Sequence, residues 1–455
     1  MKNYLLIAVL LSGFLGGCAA YQARPLDMTA DMAHRIPSLT ENASKISLLK
    51  SDSNHFNPDD GLDIEEVAIL AVANNPALKL ARDDVKIARS KALDAGLLPN
   101  PQLSAGLDFP TSTTPGSTFT ATNFGLSYDL APLLTRNTAK EIAESDIREA
   151  DMVLLWQEWQ VISQARMLFA KSCYQKKLFQ VLTTYRNILS DRHARIQKAF
   201  KDGNLTLDST TNDLSAFLDI HRQIDELTRQ IHQTHCELSR LMGLSPDVTL
   251  NLVGNVTLQN IDKNQINSML DQLAYRRPDL LALKAGYETQ DLKYRQSIIQ
   301  QFPAISVGIT QASDTSNVHT IGPSITLSLP LFNQHQGKIA IEKASRKRLY
   351  DEFENRLMNA RSTISQILAD QSLLKTQLKT VSSTTTSLKN AVDDAEKAYA
   401  TGNITELAYT ALYARLFHKT LEQLNLEQAS VEQRIALQTL LGSNSYMTCN
   451  GKRKP

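Results

Sequence analysis

The residues with the plainest chemistry lie at the start of the chain. Leu15-Gly16-Gly17-Cys18 closes a segment in which Lys2 supplies positive charge and Leu5 to Leu15 is almost continuously apolar. An apolar run this short, ended by small residues, reads as a secretory leader and not as a membrane span. A cysteine at that position reads as a lipoprotein acylation site. Residues 1–17 would be removed, and Cys18 would carry the lipid, palmitate among its acyl chains. Ala19 in second place, where Asp would signal retention, fits sorting to an outer membrane.

Other candidate ligands and nucleophiles are sparse. His232, His235 and Cys236 stand at i, i+3 and i+4, which places three soft-metal ligand types near one face of a helix. A metal site also needs closed coordination and outer partners, and these three fall off the packing seam described below, so they read as surface residues. Cys173 and Cys236 lie 30 residues before and 33 after Gly203 and would come level in an antiparallel hairpin. A disulfide there requires Cα atoms within about 7 Å; the off-seam place of Cys236 argues against it. Cys449 makes three cysteines beyond Cys18, so at least one thiol is left over. No nucleophile elbow, phosphate loop, zinc-protease motif or dinucleotide fingerprint occurs. The expectation is no enzyme, no catalytic residue, no resident metal and no cofactor besides the lipid. A net charge of +1 argues against a nucleic-acid partner, and 42% hydrophobic residues suffice for a core.

The elements that must carry these residues are written twice. Asn75-Pro76-Ala77-Leu78 recurs as Arg277-Pro278-Asp279-Leu280, and the segment around Pro101 recurs around Pro303, both at an offset of 202. Phe200-Lys201-Asp202-Gly203-Asn204-Leu205-Thr206 recurs as Tyr399-Ala400-Thr401-Gly402-Asn403-Ile404-Thr405, at an offset of 199. The organisation read from this is a lipid-anchored tether over 18–60, a first repeat over 61–250, a second over 251–445 and a flexible tail over 446–455. Each repeat predicts a helix (near 77–96 and 279–299), two strands, and one very long helical stretch folded back once. Between Pro132 and Pro246 the only glycines are Gly203 and Gly243; between Gly337 and Gly442 the only one is Gly402. Breakers this rare mark helix, turn, helix. A helix over 136–201 would run about 100 Å and must pack lengthwise on others. Phe217, Ile224, Ile231 and Leu238, interleaved with Ile220, Leu227, Thr234 and Leu241, form a coiled-coil seam.

The predicted strands, 103–109, 124–130, 305–309 and 321–331, alternate apolar with small or polar residues. That is the pattern of a transmembrane barrel strand, and equally of a half-buried soluble strand. No run beyond residue 18 reaches the ~18 apolar residues of a spanning helix. Four strands cannot close a barrel, whose smallest single-chain form has about eight. A membrane barrel would therefore be shared: two chains give a narrow, filled interior and three give 12 strands with room for a pore. The natural surface loops are Pro110–Thr118 and Ser313–Val318.

Taken together, these residues resemble the TolC-like outer-membrane efflux protein family over roughly 60–445. Arg276-Arg277-Pro278-Asp279-Leu280 looks like its Arg-Arg-Pro-Asp signature. Gly322 to Phe332 looks like its strand ending in Pro-Leu/Ile-Phe, and Tyr399 to Thr405 resembles its second helical turn. The resemblance implies an α+β membrane protein in which long antiparallel coiled-coil helices form an α-barrel and four strands per chain join a trimeric 12-stranded β-barrel. It implies a passive conduit in the outer membrane, projecting into the periplasm and partnered by a periplasmic adaptor protein and a proton-driven inner-membrane pump. The turns Gly203-Asn204-Leu205-Thr206 and Gly402-Asn403-Ile404-Thr405 fall where the family has its adaptor-docking tips. Ala408 and Ala411 stand where some members carry Asp, so the gate candidates become Asp208, Asp213 and Glu406. Pro330-Leu331-Phe332-Asn333-Gln334-His335-Gln336-Gly337 resembles the cation-efflux branch, with His335 in place of Asn. Drugs or metal cations are the expected cargo. A type I protein-secretion channel shares the fold, and a lipid-anchored periplasmic coiled-coil scaffold is the reading from another class.

Overall fold

A computed structural model describes residues 21–26, 60–111, 119–254, 256 and 262–442. Cys18, Cys449 and 112–118 of the first surface loop lie outside the described residues. Residues 1–38 form a separate unit, of which 21–26 are exposed and irregular. Every element below belongs to the unit spanning 39–455.

The first repeat runs α1 (Ile64–Asn74), α2 (Pro76–Ala95), β1 (Gln102–Asp108), β2 (Ala121–Asp129), α3 (Ala131–Lys201) and α4 (Leu207–Leu241). The second runs α5 (Lys263–Asp271), α6 (Leu273–Arg276), α7 (Pro278–Ile299), β3 (Ile305–Ser313), β4 (His319–Leu327), α8 (Gln336–Ala400) and α9 (Glu406–Leu441). Local signals explain the boundaries. Asp63 and Glu66 form a reciprocal capping box at α1. The side chain of Asn75 caps α2, and Pro76 and Pro278 occupy first-turn positions where the missing N–H costs nothing. α3, with 71 residues, is about 105 Å long. It starts five residues before the predicted 136, because Pro132 fits its first turn instead of preceding it.

The helices form one layer. α3 lies between α2 and α7 in its first half and between α4 and α9 in its second; α8 packs on α7 and then α9. The predicted seam of α4 is its packed face, with Ile220, Ile224, Leu227, Thr234, Leu238 and Leu241 buried. α1 closes a core over α3 and the end of α4 (Val67, Leu70, Leu78, Phe169, Leu238, Met242). α5 and α6 repeat this over α8 and α9 (Leu273, Ile364, Leu437, Leu441). Arg277, the signature arginine, is buried: it grips Asp279 through two bonds of 2.9 and 2.8 Å and lies over the Trp156 ring of α3.

The sheet is antiparallel in the order β1-β2-β3-β4, so the two repeats meet at β2–β3. Its register sorts the faces. One carries Leu103, Leu107, Phe124, Leu126, Tyr128, Ile305, Val307, Ile309, Ile321, Pro323, Ile325 and Leu327, with Thr122, Gln311, Ser313 and His319 as its polar members. The other is built of Gln, Ser, Gly, Asp, Ala, Asn and Thr. β4 ends at Leu327, not at 331 as the alternation suggested. Pro330 has no N–H for the ladder, and Leu331 N–H turns to the carbonyl of Leu329. β2 likewise ends at Asp129, because Leu130 is already the cap of α3.

Candidate functional site

The two predicted tips are the same turn made twice. Gly203 has φ +78° and Gly402 φ +75°. In the first, Gly203 N–H donates to Phe200 O (3.0 Å) and Asn204 N–H to Ala199 O (2.8 Å). In the second, Gly402 N–H donates to Tyr399 O (3.0 Å) and Asn403 N–H to Ala398 O (2.8 Å). A positive φ closes a helix at its C-terminus and favours glycine. No atom lies within 4 Å of where a Cβ would stand on either glycine, so the backbone angle alone demands them. Thr206 and Thr405 begin the returning helices, and Thr405 Oγ1 accepts from Ala408 N–H (3.3 Å). Leu205 is exposed, whereas Ile404 is half-buried.

The gate candidates are engaged within the chain. Asp213 is buried: its Oδ1 accepts from Arg192 Nε (3.0 Å) and its Oδ2 meets His193 Nδ1 (2.8 Å). Glu406 Oε1 takes two donors from Arg195, at 3.0 and 2.6 Å. Arg192 also donates to Thr410 Oγ1 of α9 (2.8 Å). The Asp208 side chain lies outside the described residues. The sequence alone does not single out Arg192, His193, Arg195 and Thr410. The available signal is two arginines and a histidine on α3, two to three turns above Gly203, facing acids that follow the two turns.

From the second turn upward, Tyr399, Tyr409, Tyr413, Tyr185 and Phe417 form a ladder of rings, the closest pair being Tyr185 and Phe417 at 4.1 Å. Burial pushes the phenols of Tyr185, Tyr409 and Tyr413 up.

Cys173 and Cys236 are both free thiols, so the hairpin places no bond between them. Cys173 packs on the α1–α3–α4 core, where burial pushes its thiol up against the opposing pull of Lys177 and Lys176. Cys236 Sγ lies 3.8 Å from His232 Nδ1 on exposed surface. Among the described residues no group of three His, Cys, Asp or Glu side chains gathers as a metal site. His335, the departure from the cation-efflux pattern, caps α8 with φ +59°. Asn tolerates that left-handed region better, so the position is a strand-to-helix turn with a conformational demand.

The chain joins a sheet with one apolar face to a layer of paired long helices. Residues 269–443 match the family described as outer membrane efflux protein, and that match covers α6 to α9 whole. No curated protein sequence matches the chain. Solved structures share its fold. CusC, described in terms of folding and transmembrane channel formation, has a TM-score of 0.67 at 18% identity, over 84% of this chain and 93% of that one. The Campylobacter jejuni CmeC outer membrane channel scores 0.71 at 14% identity, over 86% and 90%. The Vibrio cholerae outer membrane protein VceC scores 0.68 at 16% identity, over 83% and 96%. The second repeat thus matches the outer membrane efflux protein family, and the whole chain shares the fold of outer membrane channels, as the resemblance in its sequence implied.

Proposed function

We propose that three copies of this chain assemble into one lipid-anchored conduit that passes small substrates, drugs or metal cations, from an inner-membrane pump and its adaptor to the cell exterior. The observation that carries the reading is a pair of open edges. Among the described residues, β1 and β4 each have no strand neighbour on one side. In the helical layer, α2 and α4 stand at one margin and α8 at the other. Both margins carry exposed apolar side chains: Leu80, Ile87 and Leu218 on one, Ile341, Met358 and Leu373 on the other. Joining unlike margins head to tail makes a ring. Open strand edges in lipid would leave backbone groups unsatisfied. Three copies satisfy them with 12 strands and an interior wide enough to conduct.

The face assignment supports the same reading. Gly106, Gly125, Gly308 and Gly322 all fall on the polar face. A Cβ on Gly125 would meet Ser104 Oγ at 2.6 Å, and one on Gly308 would meet Leu126 O at 2.6 Å. Small residues on the crowded side let a sheet curve toward it, which puts the polar face in the lumen and the apolar face in lipid. Cys18 would hold the mature chain to the membrane. The turns at Gly203 and Gly402, at the far end of the helices from the sheet, would meet the adaptor. The channel conducts and does not catalyse; energy comes from the pump.

The test is subunit mass in detergent together with conductance in a planar bilayer. A trimeric mass with discrete conductance steps supports the conduit. A monomer or soluble dimer that never conducts, even with Gly203 and Gly402 substituted, overturns it in favour of the scaffold.

A further inference from the structure

Three helices meet just above the turns, and one imidazole sits among their charges. From α3 come Arg192, Arg195 and His193; from α4, Asp213 and His221; from α9, Glu406. The His193 ring stacks on Phe217 at 4.9 Å and 5°, and Phe217 meets His221 edge-on at 4.6 Å. His193 therefore has a fixed orientation. Its Nδ1 faces Asp213 Oδ2 at 2.8 Å, and its Nε2 faces the Gln197 side-chain nitrogen at 3.1 Å.

An amide nitrogen only donates, so with this Gln197 orientation Nε2 accepts and the imidazole proton lies on Nδ1, toward Asp213. This is the neutral ring. Two guanidinium groups then balance two carboxylates. A second proton has one place to go, Nε2, where it confronts the donors of Gln197. The amide must turn over and offer its oxygen. The added charge lies one hydrogen bond from a carboxylate whose side chain is only 1% exposed. In that dry setting a charge-assisted bond is stronger than a neutral one. Arg192 opposes the new charge but is bonded to the other oxygen of Asp213.

We propose that His193 is a proton sensor of the channel tip: taking up a proton turns the Gln197 amide and tightens Asp213 onto α3, holding the first hairpin shut in acid. Histidine is the side chain whose charge ordinarily changes between about pH 5 and 8, the range an outer-membrane protein meets directly. The inference rests on the channel reading for its consequence, though not for its chemistry.

The experiment uses the full-length protein, wild type and the variants His193→Gln, His221→Gln and Asp213→Asn. Two readouts are taken at about pH 5 and about pH 8: conductance in a planar bilayer, and hydrogen exchange of the backbone around residues 193–215, corrected for the intrinsic pH dependence of exchange. The wild type and His221→Gln should exchange several-fold more slowly and conduct less in acid. His193→Gln should lose both differences while keeping its fold. Asp213→Asn should exchange fast at both values. A pH difference that survives in His193→Gln, or one absent from the wild type, overturns the sensor. Absence of conductance in every variant, with His193-dependent protection intact, would overturn the channel reading and leave the sensor standing.

Discussion

The Asn75 side-chain amide donates to the backbone carbonyl of Leu241 at 3.0 Å, across 166 residues. Arg276 donates to the carbonyl of Gly442 at 3.2 Å, across the same 166 residues. Each repeat thus ties the start of its strand-bearing arm to the end of its returning helix, with a different side chain doing it. Asn75 also accepts from the N–H groups of Ala77 and Leu78. Replacing it removes a helix cap and a buried tertiary bond together, a loss of about 1–2 kcal/mol. Asn75→Ala should therefore lower the denaturation midpoint of the purified protein. Arg276→Ala should do so less, since that bond is only part-buried. Equal midpoints for Asn75→Ala and wild type would refute the tie.

The tip glycines predict a substitution pattern with a sign. Because open space surrounds both, an alanine at Gly203 or Gly402 meets only the left-handed backbone penalty, about 1–2 kcal/mol. Asparagine tolerates that region better and should recover part of the loss. Hydrogen exchange of the turn residues, compared among Gly402→Ala, Gly402→Asn and wild type, checks the order. If alanine and asparagine behave alike, side-chain bulk and not φ governs the turn.

Much of this architecture was open to a reader of the sequence because it rests on local or periodic signals. Gly203 and Gly402 interrupt long proline-free runs, Ile220 to Leu241 keep a heptad, and Leu103 to Leu327 alternate in register with the sheet faces. What stayed hidden depends on partners far along the chain. The pairing of β2 with β3 joins Thr122 to Ser313, 191 residues apart. Glu406 stands among the gate candidates with no sign of its partner, because Arg195, 211 residues earlier, gives no local hint that it will reach across. Asp213 needed only the hairpin to find His193, 20 residues away, yet a heptad count does not say which off-seam residues turn inward. Alternation overextends β4 beyond Leu327, since it persists through Leu329 and Leu331 after Pro330 has ended the ladder.

Glu149 offers a pH dependence. Burial against the close face of Gly286, then the neighbouring Asp146, hold its carboxyl above the usual range, with Lys293 acting the other way. A carboxyl raised on folding favours the folded state fully only below its unfolded value. That contribution is lost as pH climbs through the folded value, so at neutral pH its ionised form is a liability. Glu149→Gln should raise thermal stability near pH 7 and change it little near pH 4, about the ordinary value for glutamate. Thermal unfolding at the two values decides; a loss of stability at neutral pH would mean that the attraction to Lys293 outweighs burial.

The last prediction separates the two faces of the sheet. Leu126 and Ile309 are cross-strand partners on the apolar face, and Ser127 and Gly308 are the next pair, on the polar face. If the apolar face meets lipid, an arginine at Leu126 costs about 2–4 kcal/mol near mid-membrane and should deplete folded protein in the outer-membrane fraction. An arginine at Ser127 projects toward the lumen, where water and a wide interior accept it. It should leave assembly intact and shift ion selectivity toward anions, since a ring of fixed positive charge favours them. Membrane-fraction yield and reversal potential measure the two effects. The opposite order, with Ser127→Arg failing to assemble and Leu126→Arg conducting normally, would invert the sheet and with it the pore.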